Sequence, residues 1–326
     1  MDIKQYLQKH QPIIYRTFEN ALNRKKLSHA YLLSGAPGSP LKEIAMFFAK
    51  SILCDNPNPF ACNSCITCMR VDEGNYPDVM VVDGNQSKIK RDDVDKIMHN
   101  FDKTALEDKG IMIYVLVNIE SMTTVAINAI LKFLEEPGKN IYAFLTTENE
   151  TKILPTILSR TQILRLKTIN QNIIIEEAKA EGINDDDAQI LSAFYSDISA
   201  MKEVIESETY QIAKEAFDDQ LDSLLISDED AVFTCEKLII GKVKSVDCAR
   251  FYLKMLSIAF QDMLNISVGS DIVLSCYETV LKELSHKLKH IDNSLLMIMQ
   301  AMNKLEVNVN IGLLLDHVIY EITKEA

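Results

Sequence analysis

A single segment, residues 110–167, carries most of the information about how this chain folds. It opens with the apolar run IMIYVLV at 111–117 and continues with NAILKFLEEP at 128–137. A second apolar run, IYAFLT at 141–146, precedes ILPTILSRTQ at 153–162 and the short run ILRL at 163–166. An apolar run of this length without alternation is typical of a strand buried on both faces, as in a parallel sheet.

A helix is predicted between the two apolar runs. Ala126, Ile130 and Leu134 recur at a spacing that places them on one helical face. Pro137 and Gly138 end this helix, because proline cannot continue it and glycine suits the reversal of the chain. The segment is therefore a strand–helix–strand unit, a right-handed crossover in a doubly wound sheet. Pro155 then fits the first turn of a further short helix.

Two motifs in this segment closely resemble those of the clamp-loader branch of the AAA+ superfamily. Residues 128–137 match the NALLKxLEEP helix of that branch nearly letter for letter, and Ser159-Arg160-Thr161 stands where the family has Ser-Arg-Cys. The resemblance implies an α/β domain with a doubly wound parallel sheet over residues 1–167. It also implies a small helical lid at 168–206 and an all-helical collar at 207–326.

Helices are predicted along the rest of the chain from the spacing of apolar residues. The first thirty residues hold one helix, and the lid has three short ones. The collar has longer amphipathic helices, of which the clearest are Asp247–Leu264, Asp271–Lys289 and Val307–Lys324.

The chain has the strand–turn–helix context of a phosphate-binding loop, but it lacks the residues that bind phosphate and Mg²⁺. A short strand at 31–34, a turn with Gly35 and Gly38, and a helix at 41–53 give the required context. The pattern G-x-x-x-x-G-K-[ST], counted from Gly35, instead places Pro40, Leu41 and Lys42 at its last three positions. Proline removes a backbone N–H, no hydroxyl is left for Mg²⁺, and Lys42 is one residue out of register. We therefore predict no ATP in this site.

A second departure agrees with the first. The resemblance implies that hydrolysing relatives carry an acidic pair at the end of the strand before the NALLK helix. Those positions are Val117 and Asn118 here, and neither holds Mg²⁺ or orients water as a carboxylate does.

Four of the seven cysteines form a cluster with the spacing Cys54-x7-Cys62-x2-Cys65-x2-Cys68. Two overlapping C-x2-C pairs and a fourth cysteine can enclose Zn²⁺ in a tetrahedral thiolate cage, so a structural zinc module is predicted at 54–68. The resemblance to clamp-loader subunits implies a similar insertion at this point. The other three cysteines, Cys235, Cys248 and Cys276, lie in apolar segments and are interpreted as packing residues.

Arg160 has two interpretations. On the residues alone it is a structural salt-bridge partner near the start of a strand. The resemblance implies instead an arginine finger that reaches the γ-phosphate bound by a neighbouring subunit, with Ser159 supporting its orientation. Arginine suits that role because its fork of donors stays charged.

The composition limits the partners. A formal net charge of −13 disfavours a principal role in gripping DNA, because phosphate contacts require clustered Lys and Arg. No apolar run approaches the length that spans a membrane, and the first residues lack a signal core, so a cytoplasmic protein is expected.

The resemblance then implies a non-hydrolysing stator of a clamp loader. Its partners would be the ATP-hydrolysing tau/gamma subunit and the delta subunit, with the sliding clamp and primed DNA reached through the complex. Two alternatives stay open at this point: an ATP-hydrolysing tau/gamma-type subunit, and a zinc-ribbon protein that binds nucleic acid.

Overall fold

The computed structural model describes residues 2–101, 105–136, 138–305 and 309–324. The chain forms two compact units, residues 1–169 and 170–326. Pro137, predicted to end the motif helix, lies outside the described residues. No helix in the described ranges has both the length and the apolarity that crossing a bilayer requires.

The first unit is built on a five-stranded parallel sheet with the strand order β2-β3-β4-β1-β5. The strands are β1 Ala30–Ser34, β2 Val79–Asp83, β3 Met112–Val117, β4 Ile141–Thr147 and β5 Gln162–Arg165. The predicted parallel sheet is therefore confirmed. In such open sheets ligands bind outside the carboxyl ends of the strands, so that edge is where a site is expected.

Helices cover both faces of this sheet. They are α1 Ile3–His10, α2 Pro12–Asn23, α3 Leu41–Leu53, α4 Ile66–Asp72, α5 Arg91–Phe101, α6 Thr124–Glu135 and α7 Pro155–Leu158. Alternate residues of β3 belong to opposite cores: Val115 packs with the α2–α3 side and Tyr114 with the α5–α6 side. All of β3 is buried for this reason, which accounts for its unbroken apolar sequence.

The amino-terminal region contains two helices where one was predicted. The break falls at Gln11, whose φ of −129° and ψ of 51° are not helical, and Pro12 begins α2. The Gln11 side chain is used elsewhere, since it donates to Lys167 O at 2.8 Å and accepts from Lys167 N at 2.8 Å. A long-range contact therefore fixes the residue that interrupts the helix.

All the regular secondary structure in the described part of the second unit is helical. Its helices are α8 Gln171–Ala180, α9 Asp185–Ser192, α10 Ile198–Ile205, α11 Glu208–Ile226, α12 Asp228–Thr234, α13 Ile240–Lys242, α14 Val246–Val268, α15 Glu278–Lys287, α16 Ile291–Lys304 and α17 Ile311–Lys324. A π-helical turn, Cys235–Ile239, joins α12 to α13. The predicted helical carboxyl-terminal region is confirmed, whereas the division into lid and collar at 206/207 stays a prediction.

Candidate functional sites

The four clustered cysteines meet at the junction of α3 and α4. Cys54 follows the last residue of α3, Cys65 is the N-cap of α4, and Cys68 lies in its first turn. All four Sγ atoms lie within 4.8 Å of one another, and Cys54 Sγ is 3.9 Å from Cys65 Sγ. Tetrahedral Zn²⁺ with Zn–S bonds of about 2.3 Å places sulfurs about 3.8 Å apart, so the donor set fits this ion.

Backbone N–H groups point at the sulfurs, which is what a thiolate cage requires. Cys62 N lies 3.3 Å from Cys54 Sγ, Cys65 N lies 3.3 Å from Cys62 Sγ, and Cys68 N lies 3.4 Å from Cys65 Sγ. Hydrogen bonds from the backbone and side chain of Ser64 lower the pKa of the Cys62 thiol to about 6. Burial raises the pKa of Cys54 and of Cys68, so those two thiols need a bound cation to ionise near neutral pH.

The segment that carries the cysteines is fastened to α3. Lys50 Nζ lies 2.7 Å from both carboxylate oxygens of Asp72 in α4. Ser51 Oγ accepts from Ala61 N at 3.0 Å, and the Phe60 ring packs 5.4 Å from Phe47. These contacts indicate a structural module rather than a catalytic centre.

The turn after β1 is filled by its own residues. A Cβ built at Gly35 would lie 3.1 Å from Leu41 Cδ2 and 3.1 Å from Ser39 Oγ, and Leu41 is only 4% exposed. Gly38 has a φ of 79°, and its N–H donates to the carboxylate of Glu148. The space and the donor that a phosphate would use are therefore occupied from within the chain.

Lys42 is directed away from this turn. Its Nζ lies 2.7 Å from Asp83 Oδ2, at the carboxyl end of β2. A lysine in register for phosphate would extend over the turn instead. Lys42 is thus ion-paired with the end of β2, the edge strand three places from β1 in the sheet.

Charged side chains meet at the carboxyl edge of the sheet, near the turn after β1. Asp83, Glu120, Glu148 and Glu150 lie there with Lys42 and Arg165. Glu148 is an exposed residue, yet partial burial of its carboxylate, followed by repulsion from Glu120, raises its pKa. A phosphate bound beside Gly38 would meet the Glu148 carboxylate.

The two positions at the end of β3 where the resemblance implied an acidic pair have structural contacts instead. Val117 is buried, and Asn118 adopts a left-handed conformation with φ of 53°. Asn118 N donates to Thr146 Oγ1 at 2.9 Å, and Asn149 N donates to Thr147 Oγ1 at 3.1 Å. These polar ends of β4 therefore hold the neighbouring turns.

Arg160 lies at the surface of the first unit, beside the other family motif. Its NH2 is 2.5 Å from Glu135 Oε1, in the last turn of α6, and its NH1 donates to Thr156 O at 2.9 Å. Ser159 Oγ lies 3.2 Å from the same NH1. The side chain is 32% exposed and that of Glu135 is 50% exposed. The structure thus joins the two motifs through one partly exposed ion pair.

Sequence reasoning missed Glu148, and it assigned Glu120 no role. Glu120 Oε1 accepts from Glu148 N at 2.8 Å and from Asn149 N at 3.1 Å, so it fixes the turn that brings Glu148 to Gly38. Glu148 lies 110 positions after Gly38, and no local pattern links the two residues.

Comparisons with known proteins agree with this architecture. The family model described as "DNA polymerase III, delta subunit" matches residues 10–170. DNA polymerase III subunit delta' of Bacillus subtilis (strain 168) is 27% identical over 313 residues, 95% of this chain and 95% of the relative. DNA polymerase III subunit tau of the same organism is 34% identical over 165 residues, 50% of this chain but 29% of that protein.

A solved structure shares the fold. The crystal structure of a DNA polymerase III, gamma subunit-related protein from Thermotoga maritima covers 95% of this chain and 98% of its own. Its TM-score is 0.55 at 16% sequence identity, which supports a common architecture only. The similarity to the delta' relative extends over 95% of the chain, whereas that to tau covers half of it.

Proposed function

Because this chain belongs to the clamp-loader family of DNA polymerase III subunits, as a protein of the delta-prime type, we propose that it is the non-hydrolysing stator of a clamp loader. In this role it assembles with the tau/gamma and delta subunits. It reaches the sliding clamp and primed DNA through that complex.

The observation that carries the proposal is the internally filled turn after β1. Leu41 takes up the space inside the turn, Glu148 accepts from Gly38 N–H, and Lys42 is paired with Asp83. ATP hydrolysis depends on backbone donors, a lysine and a hydroxyl–Mg²⁺ contact at this position. A tau/gamma-type hydrolase would need all of these groups to be free, so that alternative is disfavoured.

We assign Arg160 the role of an arginine finger acting on the ATP of a neighbouring subunit. Its guanidinium is at the surface, and its partner Glu135 is half-exposed. Exposed ion pairs contribute only about 0–1 kcal/mol, so a phosphate can replace Glu135 at little cost. Ser159 Oγ and Thr156 O would then keep NH1 oriented during the exchange.

The test is Arg160→Ala in a complex reconstituted with the tau/gamma and delta subunits. Assembly is expected to stay intact while ATP turnover stimulated by clamp and primed DNA falls. Fingers in other nucleotide hydrolases contribute about 10³–10⁵ in rate, so the one site facing this chain would become almost silent. Arg91→Ala is the matched control, because it removes another exposed, ion-paired arginine from α5 of the same unit. Equal turnover in the Arg160 and Arg91 variants would remove the finger assignment.

Zn²⁺ is proposed as the resident ion of the cysteine cluster. Cys54, Cys62, Cys65 and Cys68 would hold it, and the ion would supply a structural cross-link between α3 and α4. Because the module packs on an α/β sheet domain within an acidic chain, the alternative of an independent zinc-ribbon nucleic-acid binder is disfavoured.

A further inference from the structure

Lys109 contacts the cysteine cluster from a distant part of the sequence. Its Nζ lies 2.7 Å from Asp55 Oδ1 and also donates to Leu53 O. These two residues flank Cys54, the first cysteine of the cage. The Lys109 ammonium group therefore contacts the backbone carbonyl of Leu53, before Cys54, and the side-chain carboxylate of Asp55, after it.

Asp55 extends this contact to the other half of the cage. Its Oδ1 accepts from Thr67 Oγ1 at 3.0 Å. Thr67 precedes Cys68 in α4. Asp55 thus connects the α3 end of the cage to the α4 end, with Lys109 as its cationic partner.

The loop that carries Lys109, residues 105–110, is itself fixed to the sheet unit. Asp78, which is buried just before β2, accepts from Leu106 N at 3.0 Å and from Glu107 N at 2.9 Å. Glu107 Oε1 lies 2.8 Å from Arg70 NH2 in α4. Lys109 is therefore presented to the cage by a backbone that is already held at two points.

The positive charge of Lys109 offsets negative charge at the metal-loaded cage. Four thiolates carry more negative charge than one Zn²⁺ neutralises, and the Asp55 carboxylate adds to the excess. Lys109 places a cation against that carboxylate, where its side chain is 30% exposed and that of Asp55 is 34% exposed. Partners that orient and balance metal ligands change metal affinity by about 10–100-fold when they are removed.

We propose that Lys109 is a positioning residue of the metal centre. It positions Cys54 through its contacts with Leu53 O and Asp55, and its charge offsets the excess negative charge of the metal-loaded cage. It also connects the metal centre to the loop at residues 105–110, which leads into β3. This proposal rests on the proposed zinc site.

The experiment measures metal affinity of the full chain, by zinc competition with a chromophoric chelator and by Co²⁺ titration followed through thiolate-to-cobalt absorption. Lys109→Met is expected to weaken binding by about 10–100-fold, whereas Lys109→Arg retains most of the affinity. Lys139→Met, which removes a lysine from an exposed turn of the same unit, is expected to bind as the wild type does.

A double-variant cycle separates positioning from general destabilisation. If Lys109 acts through Asp55, Asp55→Asn combined with Lys109→Met costs less than the two single losses added together. Circular dichroism of the metal-free variants verifies that each is folded. Wild-type affinity in folded Lys109→Met, with thiolate–cobalt absorption present, would overturn the role of Lys109 and leave the zinc site standing. Absence of that absorption in the wild type would overturn both.

Discussion

Arg160 lies at the surface of the first unit, with its side chain 32% exposed. In the isolated chain its guanidinium pairs with Glu135, and NH1 is steered by Thr156 O and Ser159 Oγ. The sequence left a structural salt bridge and a finger in trans as alternatives, and the geometry is compatible with both in succession. The proposed finger role requires that a phosphate replace the Glu135 carboxylate as the partner of Arg160.

Glu135→Gln distinguishes a holding contact from a structural one. Because the pair is partly exposed, we expect the free energy of unfolding to change by less than about 1 kcal/mol. Stimulated ATPase of the reconstituted complex is expected to stay at or above the wild-type value, since Arg160 is released but present. Thermal unfolding and phosphate release measure the two quantities. A loss of turnover as large as that of Arg160→Ala would mean that Glu135 is required to keep the arginine functional.

Glu148 gives a pH-dependent prediction. Its pKa is raised in the folded chain, so the folded state binds this proton more readily than the unfolded state does. Stability from the protonated form is present at low pH and is lost as pH rises through the folded pKa. Glu148→Gln should therefore be more stable than the wild type at pH 7, by less than about 1 kcal/mol because the residue is exposed. The difference should vanish near pH 4, and denaturant unfolding at several pH values checks it. A constant difference at all pH values would contradict the assignment.

At the scale of elements, the spacing of apolar residues predicted the helices and strands whose positions depend on local sequence alone. The helix predicted at 41–53 is observed as Leu41–Leu53, and the apolar run at 111–117 forms β3, Met112–Val117. The helix predicted at Asp271–Lys289 begins later, at Glu278. Asp262, buried in α14, accepts from Val273 N and Leu274 N, which removes these donors from any helix. Such side chain–backbone contacts between distant segments have no local signal.

The candidate sites likewise combine features that local sequence predicts with contacts that it does not. Spacing predicted the four cysteines and the defective turn at Gly35–Lys42, because both depend on neighbouring residues. The contacts of Glu148 with Gly38 and of Lys109 with Asp55 join residues far apart in the chain. They depend on the packing of strand ends and loops, and only the folded chain reveals them.

Restoring the phosphate-binding pattern at residues 35–42 tests whether its loss alone prevents ATP hydrolysis. The triple variant Pro40→Gly, Leu41→Lys, Lys42→Thr supplies the missing pattern and removes the leucine that fills the turn. We expect at most nucleotide binding and no turnover, because Val117 and Asn118 still stand where carboxylates are needed. Fluorescent-nucleotide titration and phosphate release of the isolated variant provide the measurements. Hydrolysis above the wild-type background would show that the strand-end positions matter less than proposed.

At the scale of the whole molecule, the chain combines a sheet unit bearing the candidate sites with a helical unit, and carries a net charge of −13. That charge supports a role among protein partners, with DNA reached through the complex. The cysteine cluster, the filled turn and Arg160 all lie in the first unit. The second unit would serve assembly.

Metal removal should therefore affect one unit more than the other. A metal at a hundredfold excess over its dissociation constant stabilises a fold by about 2.7 kcal/mol. For a unit of this size that corresponds to roughly 5–11 °C in Tm. We expect chelation, or Cys65→Ser, to lower the transition of the first unit by about this amount and to leave that of the second unit in place. Calorimetry with and without chelator is the check, and Cys276→Ser is the matched control. An unchanged first transition would argue against a structural metal.

ATP turnover by the purified chain alone tests the central claim most directly, namely that this chain does not hydrolyse ATP itself. Phosphate release at saturating ATP and Mg²⁺ is predicted to equal that of the buffer control. Saturable release that exceeds the control and disappears in Lys42→Ala would place a working site in the turn at residues 35–42, and would contradict the account.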